Sequence, residues 1–126
     1  MNIKFDEDAI QKIQPMLGDD KKLLLTFEDG VGQYSQHAMI HMQVQFSINI
    51  VAKDAPTDEY DDVIPSNLGD LLIKGYSKED LDNNMVISFN KNMNTLQLHG
   101  DGGPIDDNMG LIDFTDPNGV KKNPAR

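Results

Sequence analysis

The sequence predicts a β-rich α+β domain with a single substantial helix at its N-terminus. Three observations carry that expectation. Residues 37–50 alternate with period two: His37, Met39, His41, Gln43, Gln45, Ser47 and Asn49 on one side, Ala38, Ile40, Met42, Val44, Phe46, Ile48 and Ile50 on the other. Such alternation marks a long strand. A helical period appears near the start of the chain, where Ala9, Ile10, Ile13 and Leu17 share one face. The remaining apolar runs are short and bounded by Gly, Asn, Asp and Pro, as strands between turns are.

In chain order, Asp6 is placed to cap the helix, and Phe5 and Ile10 are spaced to pack as a hydrophobic staple. Pro15 and Gly18 limit its length, because proline lacks the amide hydrogen and clashes with the preceding turn. "KLLLTFEDG" reads as a strand from Leu23 to Phe27 closing at the turn-prone Asp29-Gly30, and "GVGQYS" links it to the long strand. The two strands should pair antiparallel, with the odd-numbered side of the second facing water.

Residues 53–66 carry Asp54, Asp58, Glu59, Asp61 and Asp62 between Pro56 and Pro65 without any period, and are expected to be a loop. "LLIKG" reads as a short strand. "SKEDLDNN" reads as a helical turn opened by Ser77, with Asp80 in capping-box position. "MVISF" and "TLQL" are strands joined by the turn "NKNMN". "HGDGGPIDDNMG" has the composition of a loop, "LIDF" that of a last short strand, and "TDPNGVKKNPAR" that of a loose tail. These readings give one domain over 1–116, including the acidic loop 53–66, and a tail over 117–126.

The chain has 126 residues, enough for one modest core. Its 21 acidic against 11 basic residues give a formal charge of −10, which repels phosphate backbones and anionic membrane surfaces. No apolar run is long enough to span a bilayer, and "MNIKFDEDAIQ" lacks the basic and apolar regions of a signal peptide. The expectation is a cytoplasmic protein with no nucleic-acid or membrane partner. There are no cysteines, so disulfides, thiolate nucleophiles, zinc ribbons and the usual iron–sulfur ligation are all excluded. Seven methionines and no tryptophan suit a core filled partly by flexible side chains.

The candidate chemistry is sparse. On a helix, His37 and His41 could share one ion, but on a strand they stand roughly 13 Å apart. A metal there would need further ligands from a neighbouring strand. "EDGVG" and "GDGG" lack the lysine and spacing of a phosphate loop and read as tight turns. "DLDNNM" imitates the start of a calcium loop, yet Met85 and Lys91 occupy the places of its glycine and glutamate. Ser35 near His37, and Asp106 and Asp107 near Asp113 and Asp116, have no spacing that makes a catalytic set. An enzyme is not expected, and no cofactor is implied.

The order of "MNIKFDEDAIQKIQ", "KLLLTFEDGVG", the long strand and "DLDNNMVISFN" resembles the HesB/IscA-like iron–sulfur cluster biosynthesis domain. Within that family it is similar to a divergent branch of short proteins from lactobacilli and related firmicutes. The resemblance spans roughly 1–114, with the acidic loop 53–66 as an apparent insertion, and implies a HesB-like fold: mostly antiparallel or mixed strands in a sandwich or flattened barrel, with an N-terminal helix. Cluster-carrying members place one cysteine in the glycine turn after the second element and a C-x-C pair near the C-terminus. Here Val31, within Gly30-Val31-Gly32, stands near the first place, and Gly100-Asp101-Gly102-Gly103 is the counterpart of the second region.

The resemblance thus implies a non-catalytic protein associated with iron–sulfur cluster assembly. It would be unable to hold a cluster through thiolates and would act through protein contacts, with iron–sulfur assembly components as the implied partners. The polar strand face from Gln33 to Asn49 is the candidate surface, and an exposed sheet edge there would also favour homodimers. The alternative is a divalent metal-ion binder using His37, His41, His99 and Asp101, or the acidic loop from Asp54 to Asp62.

Overall fold

A computed structural model of the chain describes residues 1–27 and 45–115. His37, His41, the Gly30-Val31-Gly32 turn, most of the expected long strand and the C-terminal tail lie outside these residues. Among the described residues no helix is long and apolar enough to cross a membrane.

The chain opens with a strand that the sequence reading did not contain, β1 (Asn2–Phe5), whose alternate residues Ile3 and Phe5 are buried. Helix α1 (Glu7–Ile13) follows, capped as expected: the Asp6 carboxylate accepts a hydrogen bond from the Ala9 amide at 2.8 Å. The α-helix ends at Ile13, and Pro15 sits in a 3-10 turn, Gln14–Met16, that needs no amide from it. Strands β2 (Lys21–Phe27) and β3 (Phe46–Ala52) pair antiparallel with Leu24 opposite Asn49.

The segment expected to be loop contains β4 (Asp62–Ile64), which pairs antiparallel with β5 (Leu71–Ile73). A 3-10 segment, Gly75–Asp80, leads to β6 (Asn84–Asn90). It starts ahead of Ser77, which is buried and donates its hydroxyl to the Lys74 carbonyl instead of capping a helix. Strands β7 (Thr95–Gly100) and β8 (Gly103–Asp113) form a hairpin, so the glycine-rich acidic stretch expected to be loop is mostly strand. Its polar composition hid an irregular strand that buries Asp106, Met109, Gly110 and Ile112.

The strands form one mixed sheet in the order β1-β6-β7-β8-β3-β2-β5-β4. Parallel pairs join β1 to β6, β3 to β8 and β2 to β5, and the other neighbours are antiparallel. Two irregularities bend β8. Leu96 and Leu98 face Met109 and Asp106, and His99 faces Pro104, so β8 carries an extra residue at each step. The bend releases β8 from β7 and delivers Gly110–Asp113 to β3. The buried Asp106 holds the corner, its carboxylate accepting the Phe46 amide at 2.7 Å and the Asn108 amide at 2.9 Å.

The two ends of the sheet nearly meet. The outward amide of Ile3 donates to the Pro65 carbonyl at 3.1 Å, and Ile3 bridges Ser66. At Phe5 a side chain takes the place of a strand: Asn67 accepts the Phe5 amide at 2.8 Å and donates to the Phe5 carbonyl at 3.0 Å. The result is a nearly closed, barrel-like mixed sheet, in keeping with the expected β-rich class.

Its interior is filled by alternate residues of most of the strands, including Phe5, Leu25, Phe46, Ile48, Ile73, Ile87 and Leu98, and by Ala9 and Ile13 of α1. The even-numbered side of β3 is core, as the alternation predicts. The odd-numbered side is not the wet face expected of it, because Gln45, Ser47 and Asn49 are all buried.

Candidate functional site

Two places in the barrel hold the residues that the sequence singled out, the β7–β8 hairpin and the acidic segment that crosses the outside of β2 and β3. In the hairpin, Gly100 pairs with Gly103 across the two-residue turn Asp101-Gly102, and Gly103 has φ of 112°, which explains the glycine there. Asp82 reaches this turn from the β6 side and accepts the Gly102 amide at 3.0 Å. The approach leaves no room at Gly100, where a Cβ would stand 2.7 Å from the Asp82 Cβ and 2.9 Å from its Cγ. We therefore expect Gly100→Ala to destabilise the fold by about 1–3 kcal/mol in denaturant titrations, by pushing Asp82 off Gly102.

The hairpin holds two of the sequence-predicted metal candidates. His99 is exposed on β7, opposite Val86 and Pro104, and the exposed Asp101 accepts the Asn84 backbone and side-chain amides at 3.3 and 3.4 Å. Among the described residues no three or more of His, Asp and Glu gather into a group that could hold a metal ion. His37 and His41 lie outside those residues. Asp82, part of the calcium-like string, is committed to the turn.

The acidic segment is tied down by lysines and amides. Lys22 donates to the Ala55 carbonyl at 3.0 Å and to the Thr57 hydroxyl at 3.2 Å. Lys74, only 4% exposed, lies 3.9 Å from the Glu59 carboxylate and 5.5 Å from the centre of the Tyr60 ring. Asp61 accepts the Gly75 amide at 2.8 Å, and Asp62 pairs with Lys78 at 2.8 Å. Glu59, Asp61 and Asp62 thus each meet a cation or an amide of the barrel.

The hydrogen bond from Lys78, aided by the Val63 amide, holds the Asp62 carboxyl below its ordinary value of 3.8. A depressed folded-state value means that the pair stabilises the protein above about pH 3.8 and is lost as pH falls through the lower folded value. Both groups are solvent-exposed enough for the effect to be small. Lys78→Met is expected to remove this component from an acid-unfolding titration while leaving the neutral-pH midpoint nearly unchanged.

Beneath this segment lies a polar row that sequence reasoning missed as a unit. The Tyr60 hydroxyl and Thr26 Oγ1 are 2.7 Å apart, Thr26 donates to Asn49 Oδ1, and Asn49 Nδ2 donates to Ser47 Oγ at 3.1 Å. The single hydroxyl hydrogen of Thr26 is committed to Asn49, so Tyr60 is the donor to Thr26. Tyr60 is also packed with Leu24 and Val51 in a small apolar cluster on the outside of the barrel. Alternation revealed that 45–49 has a polar side. The available signal for its cover was Tyr60, an aromatic in the middle of an acidic stretch.

A family model described as iron–sulphur cluster biosynthesis matches residues 1–113. The chain belongs to that family. Two solved structures carry the same association. One is a candidate Fe–S biosynthesis protein from Lactobacillus salivarius, described as having a novel fold; it is 38% identical, with 90% of this chain and 98% of that one covered, at a TM-score of 0.79. The other, a candidate Fe–S biosynthesis protein from Lactobacillus acidophilus, is 28% identical, with 88% of each chain covered, at a TM-score of 0.69. A search of curated proteins gives no match. This member of the iron–sulphur cluster biosynthesis family has no cysteine anywhere in its 126 residues, so its donor set does not fit a cluster held by thiolates.

Proposed function

We infer that this chain is a non-catalytic, cytoplasmic member of the iron–sulphur cluster biosynthesis family that works through protein contacts and does not itself hold a cluster. The absence of cysteine carries this reading, since thiolates are the usual protein ligands of iron–sulfur clusters and the histidines and carboxylates that remain are a harder set. The hairpin at Gly100-Asp101-Gly102-Gly103 adds support: its turn amide is satisfied by Asp82, and Asp101 is bonded to Asn84. The partners implied by the family are components of iron–sulfur cluster assembly. The alternative is a divalent metal-ion binder using the histidines or the acidic segment; its acidic-segment version is weakened by the lysine and amide partners of Glu59, Asp61 and Asp62.

The reading is tested by anaerobic incubation with ferrous iron and sulfide, followed by desalting and a visible absorption spectrum. The protein is expected to emerge colourless. A cluster spectrum that survives desalting would overturn the proposal. A parallel titration with calcium or magnesium addresses the alternative, because a cation bound only by the native state must raise the melting temperature.

A further inference from the structure

The dipeptide Asp101-Gly102, at the tip of the β7–β8 hairpin, carries a covalent chemistry of its own. An aspartate followed by glycine cyclises readily, because no side chain on the second residue shields its nitrogen. The Gly102 nitrogen gives up its hydrogen and attacks Asp101 Cγ; a C–N bond forms, water leaves, and the product is a cyclic imide. Hydrolysis takes the water back and opens the ring at either carbonyl, giving aspartate or isoaspartate with no net change in mass. Isoaspartate routes the main chain through the side-chain carbonyl. It therefore adds a carbon to a two-residue turn whose Gly100–Gly103 pairing belongs to the hairpin register. Both residues are exposed, so water reaches the site.

Two contacts oppose the reaction, one on each reacting group. The hydrogen that must leave Gly102 is held by the Asp82 carboxylate at 3.0 Å. A charge-assisted bond of this kind stabilises the amide against loss of its hydrogen. The Asp101 carboxyl that must be attacked accepts the Asn84 backbone and side-chain amides at 3.3 and 3.4 Å, long bonds that make Asp82 the stronger restraint. The turn is built to admit Asp82. A Cβ on Gly100 would stand 2.7 Å from the Asp82 Cβ, and one on Gly102 would stand 3.6 Å from its Oδ2. We propose that Asp101-Gly102 is a latent isoaspartate site and that Asp82 is the residue that keeps it unconverted. This goes beyond the proposed function and does not rest on it.

The test is prolonged incubation of the full chain at neutral pH, with isoaspartate at residue 101 read by electron-transfer dissociation of its peptide. Asp29-Gly30, the other Asp-Gly pair in the chain, is an internal reference in guanidinium chloride, where both pairs should convert at similar rates. In buffer, Asp101 of the wild type should convert about tenfold or more slowly than in denaturant. Asp82→Ala should recover most of that difference, and Asp82→Asn, which keeps an acceptor oxygen without the charge, should lie between. Circular dichroism establishes that each variant is folded; should the alanine variant not fold, the asparagine variant decides. Conversion of the wild type as fast in buffer as in denaturant overturns the proposal. So does a rate in the folded variants no higher than in the wild type.

Discussion

Asn67→Ala is expected to lower the unfolding free energy by about 2–4 kcal/mol, because the substitution opens the seam of the barrel. The Asn67 side chain gives the Phe5 amide its acceptor and the Phe5 carbonyl its donor, at 2.8 and 3.0 Å. Phe5 is 1% exposed, and although the Asn67 side chain itself reaches solvent, water entering from that side replaces the two bonds only in part. A buried polar group left without a partner costs about 1–3 kcal/mol, and here there are two. That is a large fraction of the stability of a small domain. Asn67→Asp is the informative control: it keeps an acceptor for the amide but turns a carboxylate toward the carbonyl, and should recover little. Denaturant titrations of the three proteins check this, and an alanine variant within about 0.5 kcal/mol of the parent would show that the seam contributes little.

The second large effect is expected at Asn49. Its side chain is fully buried and joins Thr26 to Ser47, so Asn49→Ala removes a partner from two hydroxyls and leaves a cavity. A cost of about 2–4 kcal/mol follows. Tyr60→Phe removes the other end of the chain of bonds through Thr26 and should cost about 1 kcal/mol alone. Because Thr26 links the two, the double variant should depart from additivity by about 0.5 kcal/mol or more. Additive losses would mean that Tyr60 and Asn49 act independently.

Legibility from sequence followed the range of the interactions involved. The N-cap at Asp6, the α-helical face through Ala9 and Ile13 and the β2–β3 pairing are set by neighbours or by simple periods, and they were readable. The family could be recognised from the order of such segments. Strand β1 was hidden because its four residues lie next to a strong helix start, and its partners, β6 and Asn67, are distant in sequence. Strand β8 was hidden by the glycines and carboxylates of a bulged strand that changes partners midway.

The polar side of β3 shows the limit most clearly. Period two locates Ser47 and Asn49 on one side, but only tertiary packing decides that this side is buried. The site suffered the same way. Single residues such as His99 and Asp101 could be named, whereas the links from Asp82 to Gly102 and from Tyr60 to Thr26 span twenty and thirty-four residues and left no local pattern.

The measurement that bears most directly on the central claim is the metal and acid-labile sulfide content of the untagged protein, expressed in iron-replete cells and purified anaerobically. A family member that acts through contacts, with no thiolate to offer, should contain neither iron nor sulfide in stoichiometric amount. Stoichiometric iron accompanied by sulfide would contradict the account, because it would mean that the chain carries a cluster on ligands other than cysteine.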